Sequence, residues 1–490
     1  MTIRNKVQLI TYPDSLGGNL SRLNYQLQNH FQDIFPGGVH ILPPYPSSGD
    51  RGFAPLSYFE IDPDLGSWED IRRISQGFDI MLDLMVNHIS RHSPHFIDFQ
   101  KRGRRSEYAD MFITLDKVWP EGTSPDEDIS RIFLRRPEHP FLDVHISETG
   151  SIERVWATFG ARDWSEQIDL DVNSPATQIL FQEILLHMSQ QGIKILRLDA
   201  VAYVTKKRGT SCFFVEPEIY AFLDWFKGEA DSVGIELLPE VHAHSSIQSR
   251  LSEHGYWVYN FILPLLVLHT LETRSSQKLR QHLKTCPQRQ YTMLDCHDGI
   301  PVLPDIEGVL DIDEAEKLVQ VCVERGANLS RIFSPSQKQQ GSFDVHQINC
   351  TYYSALDKNE DAYIAARAIH LFSPGIPQVY YVGLLAGEND LVGVERTGEK
   401  RAINRYNYSV AEVEQALQKP VVQRLLSLIR FRNEHPAFHG SFQVLDTSED
   451  HLVMTWMSGE GECLLKVDLN TSQSVITYRN SKGKVEYFKP

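Results

Sequence analysis

The 490-residue chain has only six cysteines, Cys212, Cys286, Cys296, Cys322, Cys350 and Cys463, and they share no paired spacing. That scatter argues against a disulfide framework or a cysteine-built zinc site and fits reduced thiols in cytoplasm. Positive charge is also short: 48 Lys and Arg stand against 64 Asp and Glu, a net charge of -16. A surface of that sign repels polyphosphate backbones, so no nucleic-acid partner is expected, local basic spots aside. No apolar run is long enough to cross a bilayer. The most apolar one, Phe261 to Leu268, contains Pro264 and suits a buried strand or helix start. The N-terminal Met1-Thr2-Ile3-Arg4-Asn5-Lys6 leads into a strand-like stretch without the apolar region and cleavage site of a secretory leader. A cytoplasmic protein with no membrane partner is expected. Internal repeats and low-complexity tracts are missing as well.

Apolar material is plentiful, at 41% of residues, enough for a large core and several domains. Strand-length apolar runs recur at Val7 to Tyr12, Val39 to Leu42, Ile80 to Val86, Ile193 to Asp199, Ile235 to Glu240, Tyr256 to Asn260, Tyr291 to Asp295 and Gln378 to Val382. Helical spacing fills segments between them, such as Ile179 to Met188, Ile219 to Phe226 and Asp361 to Phe372, and this alternation marks βα units and a parallel sheet. Three short segments, Ile195 to Asp199, Leu237 to Glu240 and Met293 to Asp298, are hydrophobic runs that end in carboxylates, at Asp199, Glu240 and Asp298. Strand ends are where a (β/α)8 barrel gathers its reactive groups.

The predicted architecture is α/β: a (β/α)8 TIM barrel with two inserted subdomains and a small C-terminal β domain. Its expected parts are residues 1–88, 170–298 and 356–439 for the barrel, 89–169 and 299–355 for the insertions, and 440–490 for the terminal domain. The insertions are inferred from gaps too long for βα connections. The second contains the polar stretch Ser334 to Gly341, expected to be a mobile loop. After the helix-like Val421 to Asn433, short alternating strands such as Leu452 to Trp456 and Cys463 to Asp468 mark the terminal domain.

Two carboxyls at a barrel rim are the minimum for breaking a glycosidic bond, and a third can steady the charge that develops on the sugar. Taken singly, each candidate has a plainer explanation. Arg197 and Asp199 form a buried ion pair at a strand end, His88 is a structural hydrogen-bonding residue, Phe53 and Phe159 are core aromatics, and Asp50 and Arg405 are solvated loop charges. His242-Ala243-His244 has a zinc-like spacing but no third ligand, so no metal is expected.

The ordered motifs Asp83-Leu84-Met85-Val86-Asn87-His88, Arg197-Leu198-Asp199-Ala200, Glu240-Val241-His242 and His297-Asp298-Gly299 together outweigh those explanations. With them the chain resembles the α-amylase superfamily, glycoside hydrolase family 13, along nearly its whole length. Lys6 to Tyr12, Gly38 to Pro43, Gln347 to Ser354 and Gly375 to Gly383 are similar to its sucrose phosphorylase branch. The resemblance implies a retaining disaccharide phosphorylase that converts sucrose and phosphate to glucose 1-phosphate and fructose through a covalent β-glucosyl intermediate. Asp199 is then the nucleophile, held ionised by Arg197, and Glu240 the acid and base, a task for a carboxyl that titrates near neutrality. Asp298 and His297 grip the glucose hydroxyls, and His88 binds the outer part of the same ring. Asp50 and Arg405 close the pocket as a pair, Phe53 and Phe159 form an apolar platform, and His242 serves the acceptor side. No organic cofactor or metal is implied, and inorganic phosphate enters as substrate. A monomer or homodimer is expected.

Arg136 and Gln347 match the positions where the branch receives phosphate. At two places the chain departs from the usual pattern. Asp344-Val345-His346-Gln347 has His346 where the branch commonly has tyrosine, and Leu134-Arg135-Arg136-Pro137-Glu138 lacks the glycine that eases a loop flip. A histidine at position 346 is similar to sucrose 6'-phosphate phosphorylases, so a phosphate already on fructose is the main alternative. Phosphorylases of glucosylglycerol or glucosylglycerate are further options. A hydrolase or transglucosidase would use the same carboxylates, whereas a non-catalytic sugar-binding barrel has no reason to keep all three.

Overall fold

The computed structural model describes residues 3–160, 165–332, 343–479 and 483–490. The main strands are β1 (Gln8–Thr11), β2 (Val39–Ile41), β3 (Ile80–Met85), β4 (Ile193–Asp199), β5 (Glu236–Pro239), β6 (Val258–Asn260), β7 (Gln290–Thr292) and β8 (Ile376–Tyr380). They form an eight-stranded parallel sheet in the order β6-β7-β8-β1-β2-β3-β4-β5. That cyclic order follows the sequence and is the mark of a (β/α)8 barrel. β3 and β8 are buried at every position, as parallel strands covered on both faces must be.

Packing divides the chain into two compact units, one built mainly from Ile41–Val241 with Ile332–Asp344, the other from Thr2–His40, His242–Arg331 and Val345–Pro490. In the first unit β3 and β4 pair so that Asp83 lies opposite Arg197 and Met85 opposite Asp199. β4 in turn pairs with β5, Arg197 opposite Leu238. The helices Pro175–Gln190 and Glu218–Ser232 bury Leu180, Phe181, Ile184, Leu223 and Phe226 on one stripe each. Two antiparallel pairs, His88–Ser90 with Gln167–Asp169 and Phe141–His145 with Ile152–Trp156, stand apart from the barrel strands. Trp119 and Trp156, stacked 6.0 Å apart, anchor a separate apolar cluster with Ile113, Leu134 and Phe141.

In the second unit β6, β7, β8 and β1 pair in parallel. The apolar run predicted over Phe261 to Leu268 opens the helix Leu263–Thr273, with Pro264 in its first turn, where a missing N–H costs nothing. The helix Glu360–Phe372 is buried from Ala362 to its last residue. A three-stranded sheet places Val345–Asn349 between Ile300–Pro301 and Asn328–Arg331. A five-stranded antiparallel sheet, from Ser441–Leu445 to Val485–Phe488, ends the chain.

Two strands end two or three residues earlier than the sequence suggests. The apolar run Gln378 to Val382 is cut at Tyr380 because Tyr381–Leu384 turns into a short helix, and β7 stops at Thr292, short of Asp295. The polar stretch Ser334 to Gly341 lies outside the described residues. Among the described residues no helix is long and apolar enough to cross a membrane.

Candidate active site

Parallel strands present their C-terminal residues on one edge, and in the first unit that edge is acidic. Arg197, on β4, sits among three carboxylates. Its Nη1 donates to Asp83 Oδ1 and, at 3.1 Å, to Asp199 Oδ1, while its Nη2 donates to Glu240 Oε1. One guanidinium therefore holds Asp199 and Glu240 by its two terminal nitrogens, and Asp83 fixes the guanidinium from β3. Asp83 is fully buried and Arg197 is 4% exposed, so the cluster is shielded from the bulk solvent that weakens surface ion pairs. The chain turns sharply after Asp199: Ala200 adopts φ 54°, a left-handed conformation unusual for a residue with a Cβ. That turn aims the Ala200 N–H at Glu240 Oε2, 3.3 Å away.

Beside this cluster His88 is buried, with its Nε2 3.0 Å from the Phe53 carbonyl and its ring edge-on to Phe159, centroids 5.4 Å apart. Burial lowers the His88 pKa, against the opposing pull of Asp169, so the ring is neutral near pH 7. The Arg197 guanidinium lies 6.0 Å from the centre of the Phe53 ring. Asp50 is exposed in a strained turn, φ 46° for Asp50 and 50° for Arg51. Gly52 closes that turn at φ +107°, where an added Cβ would lie 2.5 Å from the Pro43 carbonyl oxygen. Arg136, expected at a pocket mouth, is instead fully buried, and its neighbour Arg135 is the one whose guanidinium lies over Phe159, at 5.7 Å.

Sequence reasoning overlooked a buried cation in the same unit. Lys206 Nζ lies 2.6 Å from Asp169 Oδ2 and 2.6 Å from Asn87 Oδ1, with both charged side chains at most 2% exposed. Asn87 Nδ2 also donates to Asp169 Oδ2, and the Thr158 N–H to Asp169 Oδ1. The network ties the Asn87-His88 motif to the strand Gln167–Asp169. Lys206 sits seven residues beyond Asp199, outside the motif Arg197-Leu198-Asp199-Ala200.

In the second unit Asp298 is the centre. Arg401 Nη1 donates to its Oδ1 at 2.8 Å, Arg405 Nη2 stands 3.8 Å from the same oxygen, and His297 Nε2 3.9 Å. Burial alone would raise the Asp298 pKa, but His297, Arg401, Arg405 and His242 outweigh it and hold the carboxyl well below the usual range. The backbone around it is pinned: Asn404 Nδ2 donates to the carbonyls of Cys296 and Asp298, and Arg405 Nε to that of His297. Gly299 follows because a Cβ there would meet Asn349 Oδ1 and the Ile348 carbonyl at 2.6 Å. Arg401 is the second residue that sequence reasoning missed. It lies on the short 3-10 segment Lys400–Asn404, four residues before Arg405, and that spacing was its one signal.

His242 stacks on Phe261, centroids 3.8 Å apart, and meets His346 edge-on at 6.2 Å. Its Nδ1 is 3.5 Å from Asp305 Oδ1. His244 turns to a different task, its Nδ1 accepting the Ser246 N–H at the start of the helix Ser245–Glu253. His346 Nδ1 lies 2.7 Å from the Leu303 carbonyl; a carbonyl only accepts, so Nδ1 carries the proton and Nε2 is the nitrogen left to face other groups. The ladder shifts between Ser330 and Arg331, opposite Gln347 and Val345, so His346 is the extra residue of a bulge. Bulges re-aim side chains and break the strict alternation that would set His346 and Gln347 on opposite faces.

The family model described as Alpha amylase, catalytic domain matches residues 15–250. A protein of Thermoanaerobacterium thermosaccharolyticum named sucrose 6(F)-phosphate phosphorylase is 58% identical over 484 residues, covering 99% of both chains. A sucrose phosphorylase of Streptococcus mutans is 41% identical over 481 residues, covering 98% of both. Among solved structures, that titled sucrose 6F-phosphate phosphorylase from Thermoanaerobacter thermosaccharolyticum superposes with a TM-score of 0.96 at 57% identity, over all of this chain and 98% of the other. The chain is thus an enzyme of the α-amylase superfamily and belongs to the sucrose phosphorylase family of glycoside phosphorylases.

Proposed function

We propose that the enzyme phosphorolyses an α-glucosyl fructose with retention, and that it prefers sucrose 6'-phosphate to sucrose. An Asp199 oxygen attacks the anomeric carbon as the bond to the fructosyl oxygen breaks, and Glu240 gives that oxygen its proton. Phosphate then attacks the same carbon, its proton passing to Glu240, and Asp199 leaves with the electron pair it had shared. Asp298, kept ionised by its cationic neighbours, takes hydroxyls of the glucosyl unit and strengthens that hold as positive charge develops on the ring. Retention needs two carboxyls close together, and their attachment to one guanidinium supports it.

His346 carries the choice of substrate. Its Nδ1–H is committed to Leu303, and a proton on Nε2 turns the ring into a donor for a phosphate on the leaving group, a task the tyrosine common in the branch performs less well because it brings no charge. The name of the 58% identical relative supports the same preference. The test is glucose 1-phosphate release by the purified protein in phosphate buffer, from sucrose and sucrose 6'-phosphate at matched low concentrations, with free glucose followed in parallel. A kcat/KM at least tenfold higher on the phosphorylated sugar is expected. Equal or higher efficiency on sucrose overturns the preference, and free glucose without glucose 1-phosphate overturns phosphorolysis itself.

A further inference from the structure

A cavity of about 360 Å³ lies in the second unit, between the helices Ser245–Glu253 and Gln277–Thr285, the end of β6, and the turn that carries Asp305. None of the residues assigned to catalysis or glucose binding lines it. Two of its buried polar groups lack hydrogen-bond partners among the described residues. Both carboxylate oxygens of Asp305, a residue 1% exposed, receive no donor, and neither does the Asn260 Nδ2 group find an acceptor. Asn260 has already used its other end, because its Oδ1 accepts from the Leu263 N–H at 3.1 Å and from His282 Nε2 at 3.0 Å. Burial drives the His282 pKa down to about 4, so this ring is neutral and adds no charge to the wall.

Buried acceptors and donors left unmatched are costly, so whatever fills the cavity must both donate to Asp305 and accept from Asn260. An anion is repelled by Asp305. A divalent cation would need several oxygen ligands, and the lining offers one carboxylate. A hydroxyl does both jobs, and adjacent hydroxyls can reach both carboxylate oxygens. The volume is at the small end for ligand sites.

We propose that this cavity binds a small neutral polyol or a single monosaccharide, held by Asp305 and Asn260. Asp305 Oδ1 is also 3.5 Å from His242 Nδ1, so an occupant lies close to that ring. The binding claim stands apart from the catalytic roles proposed above. Saturation-transfer NMR with glycerol and with xylitol tests it on the intact wild-type protein, Asp305→Asn and Asn260→Asp. The second variant keeps the Oδ1 that caps Leu263 and replaces the donor by an acceptor. At least tenfold weaker binding of one probe or both by either variant, with thermal unfolding unchanged, is expected. Undiminished binding in both variants places the probes elsewhere and overturns the site. No binding by the wild type leaves the cavity to water and overturns it too. Should Asn260→Asp not fold, Asp305→Asn decides alone.

Discussion

At the scale of single residues, Arg401 is worth more than its partly exposed position suggests, since its Nη1 donates to Asp298 Oδ1 at 2.8 Å. Replacing it by glutamine removes one of the cations that keep Asp298 ionised, while Arg405 and His297 remain. The expected result is a kcat/KM lower by about 10- to 100-fold, or ~1.4 to 2.7 kcal/mol of transition-state stabilisation, with Arg401→Lys recovering part of it. Unchanged kinetics in Arg401→Gln would show the contact to be incidental. Asp298 also links stability to pH. Its folded pKa is depressed, so the ionised carboxyl stabilises the fold above the unfolded value near 3.9, and that contribution disappears as pH falls through the folded value. In thermal unfolding, the stability difference between wild type and Asp298→Asn should shrink below about pH 4 and be constant above pH 5. His346→Tyr removes the chargeable donor and should move the ratio of efficiencies on sucrose 6'-phosphate and sucrose at least tenfold toward sucrose.

At the scale of elements, the Lys206–Asp169 pair holds the strand Gln167–Asp169 to the Asn87-His88 corner. Lys206→Met leaves a buried carboxylate without its cation, which costs about 3–5 kcal/mol. The double variant with Asp169→Asn should regain much of the lost melting temperature, and a double variant as unstable as the single one would deny that the charge is the cause. Elements were legible in the sequence where physics makes them repetitive. Eight apolar runs gave eight strands, and Leu452 to Trp456 and Cys463 to Asp468 fell inside His451–Ser458 and Gly461–Asp468. Ends were less legible, because Tyr381 and Val382 are as apolar as β8 yet begin a helical turn. Asp199, Glu240 and Asp298 stood out by closing apolar runs, whereas Arg401 and Lys206 lie in polar segments whose contacts form only when distant chain segments fold together. Asp305 was hidden for the same reason, and the burial of Arg136 could not be read from a charged, proline-rich loop.

At the scale of the whole molecule, the net charge of -16 opposes the anions that the proposed reaction requires. Inorganic phosphate and sucrose 6'-phosphate must approach a repulsive field and then be held by a few cationic groups. The two effects respond differently to salt. Repulsion from scattered surface charge acts over distances beyond the Debye length, about 8 Å at 0.15 M, and is largely removed there, whereas contacts inside a desolvated pocket are screened much less. Raising the ionic strength from about 0.01 M, where the screening length is about 30 Å, to 0.15 M should therefore lower KM for phosphate and for sucrose 6'-phosphate. KM for sucrose, which carries no charge, should stay constant at saturating phosphate. Steady-state kinetics with each substrate varied in turn measures this. A rise in KM for both anions with salt would mean that long-range attraction from a basic patch governs their capture, against the charge balance of the chain.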